Sequence, residues 1–238
     1  MCDENKYLFV SVVTPTYNRR RFIPYIIKCY QNQIYPKEHM EWIIYDDGSD
    51  PVGDLFNGLS LPNIRYIYNG VKQKIGYKRN RLNELARGHI VVAMDDDDYY
   101  PPERVHHVVQ VLSANPRYML AGSSEIYMYY SDIKTIYKVG PYGFNHATNN
   151  TMAWTGMYGK THKYDETVTH AEESSFLEDY KNPLIQLNPY KVCLFISHSK
   201  NTVDKIGTRE EGYHDEKTDL KIEDFIKEKY LRDFYKEV

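Results

Sequence analysis

Four consecutive aspartates, Asp95 to Asp98, stand directly behind the apolar run 90–94 and ahead of Tyr99-Tyr100-Pro101-Pro102. An apolar run of that length, bounded by glycine and a proline pair, predicts a strand buried in a parallel sheet. Its carboxyl end would carry dense negative charge to the rim of the sheet. Adjacent carboxylates repel and raise each other's pKa, so the cluster needs a compensating cation. A hard divalent ion with oxygen ligands suits it. The bland alternative is a solvated acidic loop, which seldom ends a buried strand.

Two further polar clusters end apolar runs: Pro15-Thr16-Tyr17-Asn18 and Asp46-Asp47-Gly48-Ser49. Ligands of open α/β sheets bind outside the carboxyl ends of the strands, so the three clusters are expected at one edge, around one ligand. The segment Gly76-Tyr77-Lys78-Arg79-Asn80 adds cations at a predicted helix start, which suits a phosphate. Each signal is weak alone; in this order they reinforce one another. His106 and His107 are helical neighbours and cannot face one metal, so they read as helix surface.

The elements that must position these groups alternate. Strands are expected over 7–14, 42–45, 64–68 and 90–94, and helices over 21–34, 76–86 and 102–112. Such alternation implies a mostly parallel sheet covered on both faces. After about residue 117 the pattern becomes strand-rich, with strands expected over 118–130, 133–139 and 192–197. A Gly-, Asn- and aromatic-rich functional loop is expected over 140–159, a short helix over 172–180 and an amphipathic helix over 220–238.

The chain has 238 residues, 42% apolar and 26% charged, with a net charge of −3. That balance is ordinary for a globular protein and disfavours nucleic-acid binding through bulk electrostatics. Cys2, Cys29 and Cys193 are odd in number and far apart, which fits a reducing compartment rather than a disulfide framework. The polar start 1–6 is unlike a signal peptide, and no apolar run is long enough to cross a bilayer, so a cytoplasmic location is expected. The 24 tyrosines could line a sugar site or reflect coding bias.

The motifs PTYNR at 15–19, YDDGSD at 45–50, GYKRN at 76–80 and MDDDDYYPP at 94–102 resemble the family 2 glycosyltransferases of the GT-A fold. The resemblance is firm over the first half and looser beyond. It implies a single α/β domain over 1–238, with a Rossmann-like, mostly parallel sheet and a sheet-rich acceptor half. Residues 1–117 would bind the nucleotide, 118–215 the acceptor, and 216–238 would form the C-terminal helix. It also implies a nucleotide-sugar donor, a UDP-sugar by analogy, a glycan acceptor, Mn²⁺ or Mg²⁺, and inversion at the anomeric carbon.

Carried residue by residue, the resemblance has Pro15, Thr16, Tyr17 and Asn18 cradling the nucleoside, with Tyr17 against the base. Asp47 or Asp46 would accept from the base, and Arg79 would face base or diphosphate. Asp95 and Asp96 would approach the ribose and the metal shell, and Asp97 would hold the metal. Strand alternation would put Asp95 and Asp97 on one side and Asp96 and Asp98 on the other, leaving Asp98 a structural role near the next helix start. Glu173, where the family usually has Asp, or else Glu172, would be the general base. His198 is either a further metal ligand or a packing histidine. Asn150, Met152 and Trp154 resemble a stretch lining the donor sugar, although Trp154 could equally be core.

Two other classes remain open. A nucleotidyltransferase should carry a Gly-rich basic loop after the first strand, where this chain has PTYNR. A binding module without turnover would have little use for the Asp run and the Glu172-Glu173 pair. The apolar side of the C-terminal helix could cover its own domain, a second copy or a membrane; its mixed charge disfavours the membrane.

Overall fold

The computed structural model describes residues 7–198, 201, 209 and 215–238. Cys2 and the polar start 1–6 lie outside the described residues. Along the chain run β1 (Val10–Thr16), α1 (Ile23–Asn32), β2 (Met40–Asp46), β3 (Ile64–Tyr68), α2 (Ile75–Leu85), β4 (Ile90–Ala93) and α3 (Arg104–Ala114). There follow β5 (Leu120–Gly122), β6 (Ile126–Tyr130), β7 (Thr135–Val139), β8 (Ala153–Thr155), α4 (Gly156–Thr161), α5 (Glu173–Phe176) and β9 (Ile185–Gln186). The last elements are β10 (Leu194–Ser197), β11 (Asp215–Lys217), α6 (Ile222–Phe225) and α7 (Lys229–Glu237).

A seven-stranded sheet has the order β3-β2-β1-β4-β8-β5-β9. Strands β1 to β4 are parallel, as the alternation of strands and helices predicts. Strand β8 runs antiparallel to both β4 and β5, so β5 points the same way as β4. Strand β9 continues parallel to β5. A second sheet, β10-β6-β7-β11, lies beyond the first. Strict alternation splits the core: Val10, Val12, Trp42 and Ile44 join one apolar cluster with α1 and α3, whereas Val13, Ile43 and Tyr45 join another with Leu82 of α2 and Phe176 of α5.

Several expectations are corrected. Strand β1 runs on through Pro15 and Thr16, because both pair with β2, at Tyr45 and Asp46. The expected strand 118–130 is two strands in two different sheets, parted at Ser123 to Glu125. The expected loop 140–159 contains β8, which inserts into the main sheet, and the start of α4. The C-terminal helix is broken after Phe225; Ile222 and Ile226 are out of helical phase with Leu231, Phe234 and Tyr235, and the break lets all of them reach the same core. Tyr230 of α7 is half exposed.

Among the described residues, no helix is long and apolar enough to cross a membrane. Cys29 and Cys193 are buried and free.

Candidate active site

The carboxyl ends of β1, β2 and β4 do meet at one edge, with the start of α2 set across them. Lys78 in the first turn of α2 donates from Nζ to the Thr16 carbonyl (3.0 Å) and to Asp47 Oδ1 (2.8 Å). Asp47 Oδ2 accepts from the Gln73 amide at 2.6 Å. Asp47 thus fastens the approach to α2 onto the end of β2.

Its neighbour Asp46 turns inward. Its Oδ1 accepts from Gly48 N (2.8 Å), and its Oδ2 accepts from Val52 N (3.0 Å) and the Tyr66 hydroxyl (2.6 Å). Those bonds close the loop after β2, so both Asp46 oxygens are engaged by their own loop and Tyr66, and Asp47 is the member of the pair that faces α2. Asn18, at φ +54°, uses its side-chain oxygen to accept from Ser49 Oγ and Asp50 N, both at 3.2 Å. It ties the loop after β1 to the loop after β2. A Cβ on Gly48 would stand 2.7 Å from Asn18 N, so glycine is required where the two loops meet. Tyr17 stays half-buried at the rim, with Lys72 Nζ 4.3 Å from its ring centroid. Pro15 and Thr16 are buried in β1.

The Asp run is a turn beyond β4, not an extended strand, so the expected alternation fails. Asp95 faces α2: Arg79 grips it bidentately, with both N–O distances 3.0 Å. The Asp95 amide donates to the Tyr100 hydroxyl at 2.6 Å. Asp96 and Asp97 both face Arg19, at 3.7 and 3.5 Å, inside ion-pair range but long for hydrogen bonds. Burial first, then the adjacent Asp97 charge, pushes the Asp96 carboxyl well above the ordinary range, with Arg19 opposing.

Asp98 is structural, as expected, but not as a helix-start partner. Its Oδ1 accepts from Ile196 N in β10 at 2.9 Å, its Oδ2 accepts from Asn150, and its carbonyl accepts from the Tyr235 hydroxyl of α7 at 3.0 Å.

The bridge between Tyr99 and Leu194 docks β10 against the exit of the Asp turn. That docking brings His198, just past β10, to 3.4 Å from Asp97 Oδ2 through its Nε2. The imidazole is buried and stacked on Phe22, with centroids 4.8 Å apart. Asn201 steadies it, accepting from His198 N at 2.7 Å. A carboxylate oxygen and an imidazole nitrogen facing each other beside surplus buried acid is a donor set that Mn²⁺ or Mg²⁺ accepts. Among the described residues no three His, Cys, Asp or Glu gather as a metal cage. Two protein ligands completed by substrate phosphates is a common arrangement for such ions.

Arg79 also reaches across to the second half of the chain, donating from Nε to Glu172 Oε1 at 2.7 Å. Asn80 fastens the same region by donating to the Tyr164 carbonyl (2.9 Å) and to Glu166 (2.8 Å). The Gly76 position would put a Cβ 2.0 Å from the Asp165 carbonyl, so only glycine lets 165 pack on the start of α2. Glu173 follows at the head of α5. Burial and the neighbouring Glu172 charge push its carboxyl up to about 7, although Arg79 pulls the other way. A carboxyl tuned to that value suits a general base near neutral pH.

The expected sugar-lining stretch is corrected. Trp154 is core: it is 2% exposed, donates from Nε1 to Asn83 at 3.0 Å and meets Phe176 edge-on. Met152 is fully buried, its carbonyl accepting from Arg104 at 2.8 Å. Asn150 is spent on Asp98. All three side chains are buried, Asn150 the least at 7% exposed. Sequence reasoning gave no separate role to Arg19, Lys78 or Asn201; the first two stood inside the quoted motifs, and a cation beside an acid-rich rim was the available signal.

The chain is 32% identical over 99 residues to a putative colanic acid biosynthesis glycosyl transferase, WcaA, of Escherichia coli, covering 40% of this chain and 35% of that protein. It is 30% identical over 107 residues to an uncharacterized glycosyltransferase of Haemophilus influenzae, covering 45% and 35%. The matched stretch is thus about a third of these relatives' length. Among solved structures, the mannosyltransferase PcManGT of Pyrobaculum calidifontis, in complex with GDP-Man and Mn²⁺, superposes with a TM-score of 0.65 at 16% identity, over 82% of this chain and 59% of that one. Staphylococcus aureus TarS 1-349 with UDP-GlcNAc gives 0.62 at 17% identity, over 81% and 59%. The shared architecture is the expected GT-A fold. Residues 11–168, well over half of the sequence, match the model of glycosyl transferase family 2, and the chain belongs to that family.

Proposed function

We propose that this chain carries the catalytic site of an inverting glycosyltransferase. It would move a sugar from a nucleotide-sugar donor, a UDP-sugar in the first instance, to a hydroxyl of a carbohydrate acceptor. The observation that carries this reading is the Arg79 bridge, which joins Asp95 of the acidic turn to Glu172, next to the tuned carboxyl of Glu173. Donor-side and base-side chemistry are thereby held in one buried network. Neighbouring folds that hold GDP-Man with Mn²⁺, and UDP-GlcNAc, support a nucleotide-sugar and leave the base of the nucleotide to be tested.

In this reading Tyr17 packs on the nucleobase at the open rim, with Asp47 and Lys78 fixing the wall behind it. Asp97 and His198 would hold Mn²⁺ or Mg²⁺, which when bound would neutralise the diphosphate as it leaves. Arg19 stands beside the same carboxylates and can follow the developing charge. Glu173, as carboxylate, takes the proton of the acceptor hydroxyl. The freed oxygen attacks the anomeric carbon, and the bond to the diphosphate breaks on the opposite face.

General-base help is worth on the order of 10²–10⁴-fold. Glu173→Gln is therefore expected to retain donor binding and lose transfer by about that factor, read as nucleoside diphosphate release with acceptor present. Turnover near that of the unaltered chain would move the base elsewhere. Retained nucleotide affinity with no release under any condition would favour a binding module instead.

A further inference from the structure

A cavity of about 420 Å³ opens away from the network just described, lined in part by Ser123, Ser124, Tyr142, Phe144 and Gln186. Its size is that of a small-ligand site. Register fixes where it stands. Val92 pairs with Ala153 of β8, and Ala153 pairs with Ala121 of β5. Strand β5 points the same way as β4, so the cavity at the end of β5 sits on the same carboxyl edge as the Asp turn, with β8 between the two strands.

The wall of the cavity is built, not incidental. Gln186 accepts from Ser124 N at 2.8 Å, and its amide donates to the carbonyls of Phe144 (2.8 Å) and His146 (3.0 Å). One side chain thus ties the loop 140–147 to the ends of β5 and β9. Gly140, at φ +88°, lets the loop close onto Ser124, whose carbonyl would lie 2.2 Å from any Cβ there. The loop presents its aromatic rings outward: Phe144 is 91% exposed and Tyr142 is 48% exposed.

A line of rings runs from this cavity to Tyr180. Tyr142 meets His146 with centroids 4.8 Å apart, and His146 stacks on Tyr180 at 4.9 Å. Tyr180 follows Glu178 and Asp179 in a run of three left-handed residues, φ +50° to +60°, that turns the chain back after α5. The Tyr180 hydroxyl is raised in pKa by burial first and by the Glu173 charge next.

Aromatic faces beside the Ser124 hydroxyl and the Glu125 carboxylate suit a pyranose ring, which has apolar C–H faces and a polar rim. We infer that this cavity is an extended acceptor subsite, which holds a saccharide unit of the acceptor remote from the hydroxyl that is glycosylated. The inference rests on the proposed transferase reading and adds that the acceptor is longer than one sugar. Phe144 supplies the stacking face, and the line of rings continues through Tyr142 and His146 to Tyr180.

The test is a series of β-linked gluco- and N-acetylglucosamine oligosaccharides, from monosaccharide to tetrasaccharide, as acceptors with a transferable donor. The unaltered chain is expected to show kcat/KM rising with acceptor length, mostly through KM. Phe144→Ala should lower the tetrasaccharide-to-monosaccharide ratio roughly tenfold, as loss of one buried aromatic face implies. Phe144→Trp, which keeps a face, should retain the ratio. Phe144 is so exposed that neither change threatens the fold. Equal use of short and long acceptors, an unchanged ratio in Phe144→Ala, or donor hydrolysis with no transfer to any saccharide would overturn the subsite. Absence of donor hydrolysis as well would instead indict the transferase reading beneath it.

Discussion

Replacing Arg79 probes the joint between the two halves of the site. Its side chain is 7% exposed and spans Asp95, 23% exposed, and Glu172, 8% exposed. Removing one partner of a buried ion pair costs about 3–5 kcal/mol, because the remaining charge is stranded. Asp95 is open enough to regain water, so the lower end applies, about 3 kcal/mol for Arg79→Ala. In a chain of this length each kcal/mol moves the melting point by about 2–4 °C, so the midpoint should fall by about 6–12 °C. Arg79→Lys keeps the charge but loses the fork, and should cost about 1–2 kcal/mol. The assay is thermal unfolding at pH 7.5 of the single variants, of Glu172→Gln and of the double variant. A coupling of at least about 1 kcal/mol between positions 79 and 172 is expected. An Arg79→Ala midpoint within a degree of the unaltered chain, or strictly additive effects, would refute the view that Arg79 joins the halves.

The remaining predictions concern protons and packing. With Glu173 titrating near 7 and acting as carboxylate, kcat/KM should be low at pH 6, rise through about 7 and level off above about 8. Arg79→Lys should move that rise to higher pH if the cation is displaced, since Arg79 holds the Glu173 value down. Because the folded-state value lies above the ordinary 4.5, ionising Glu173 costs stability as pH rises from there through about 7; Glu173→Gln should therefore be at least as stable as the unaltered chain at pH 8, read by chemical denaturation. Trp154→Ala should cost about 3–5 kcal/mol as a core truncation, with donor selectivity among the remaining folded molecules unaltered. A change of donor preference there would restore Trp154 as a sugar contact.

The first half of the fold was legible because parallel strands buried on both faces are written as continuous apolar runs. Those of β1, β2 and β4 end in polar residues that the topology must gather at one edge, whereas β3 is a half-buried edge strand. The strands of the second half are short and change sheets. At Ser123 to Glu125 the chain leaves one sheet for the other with no proline to mark the break. The helical phase slip between Ile226 and Leu231 was likewise hidden by aromatics on both sides. Within the site, composition picked out the acids but not their partners. Asp46 and Asp47 are adjacent in sequence, yet one closes its own loop and the other holds α2, a division that depends on where Tyr66 and Lys78 arrive. Asp98 and Asn150 stand 52 residues apart and meet where β4 ends and its neighbour β8 begins, which no local pattern encodes.

The most direct test of the central claim is binding of UDP, GDP, UDP-GlcNAc and GDP-Man by thermal shift, with and without Mn²⁺, to the unaltered chain and to Asp97→Ala. A ligand at about a hundred times its dissociation constant adds roughly 2.7 kcal/mol, or about 5–11 °C here. The account predicts such a shift with the nucleotides of one base, dependent on Mn²⁺ and lost in Asp97→Ala. No shift with any nucleotide, or a shift of equal size without Mn²⁺ or in Asp97→Ala, would contradict it.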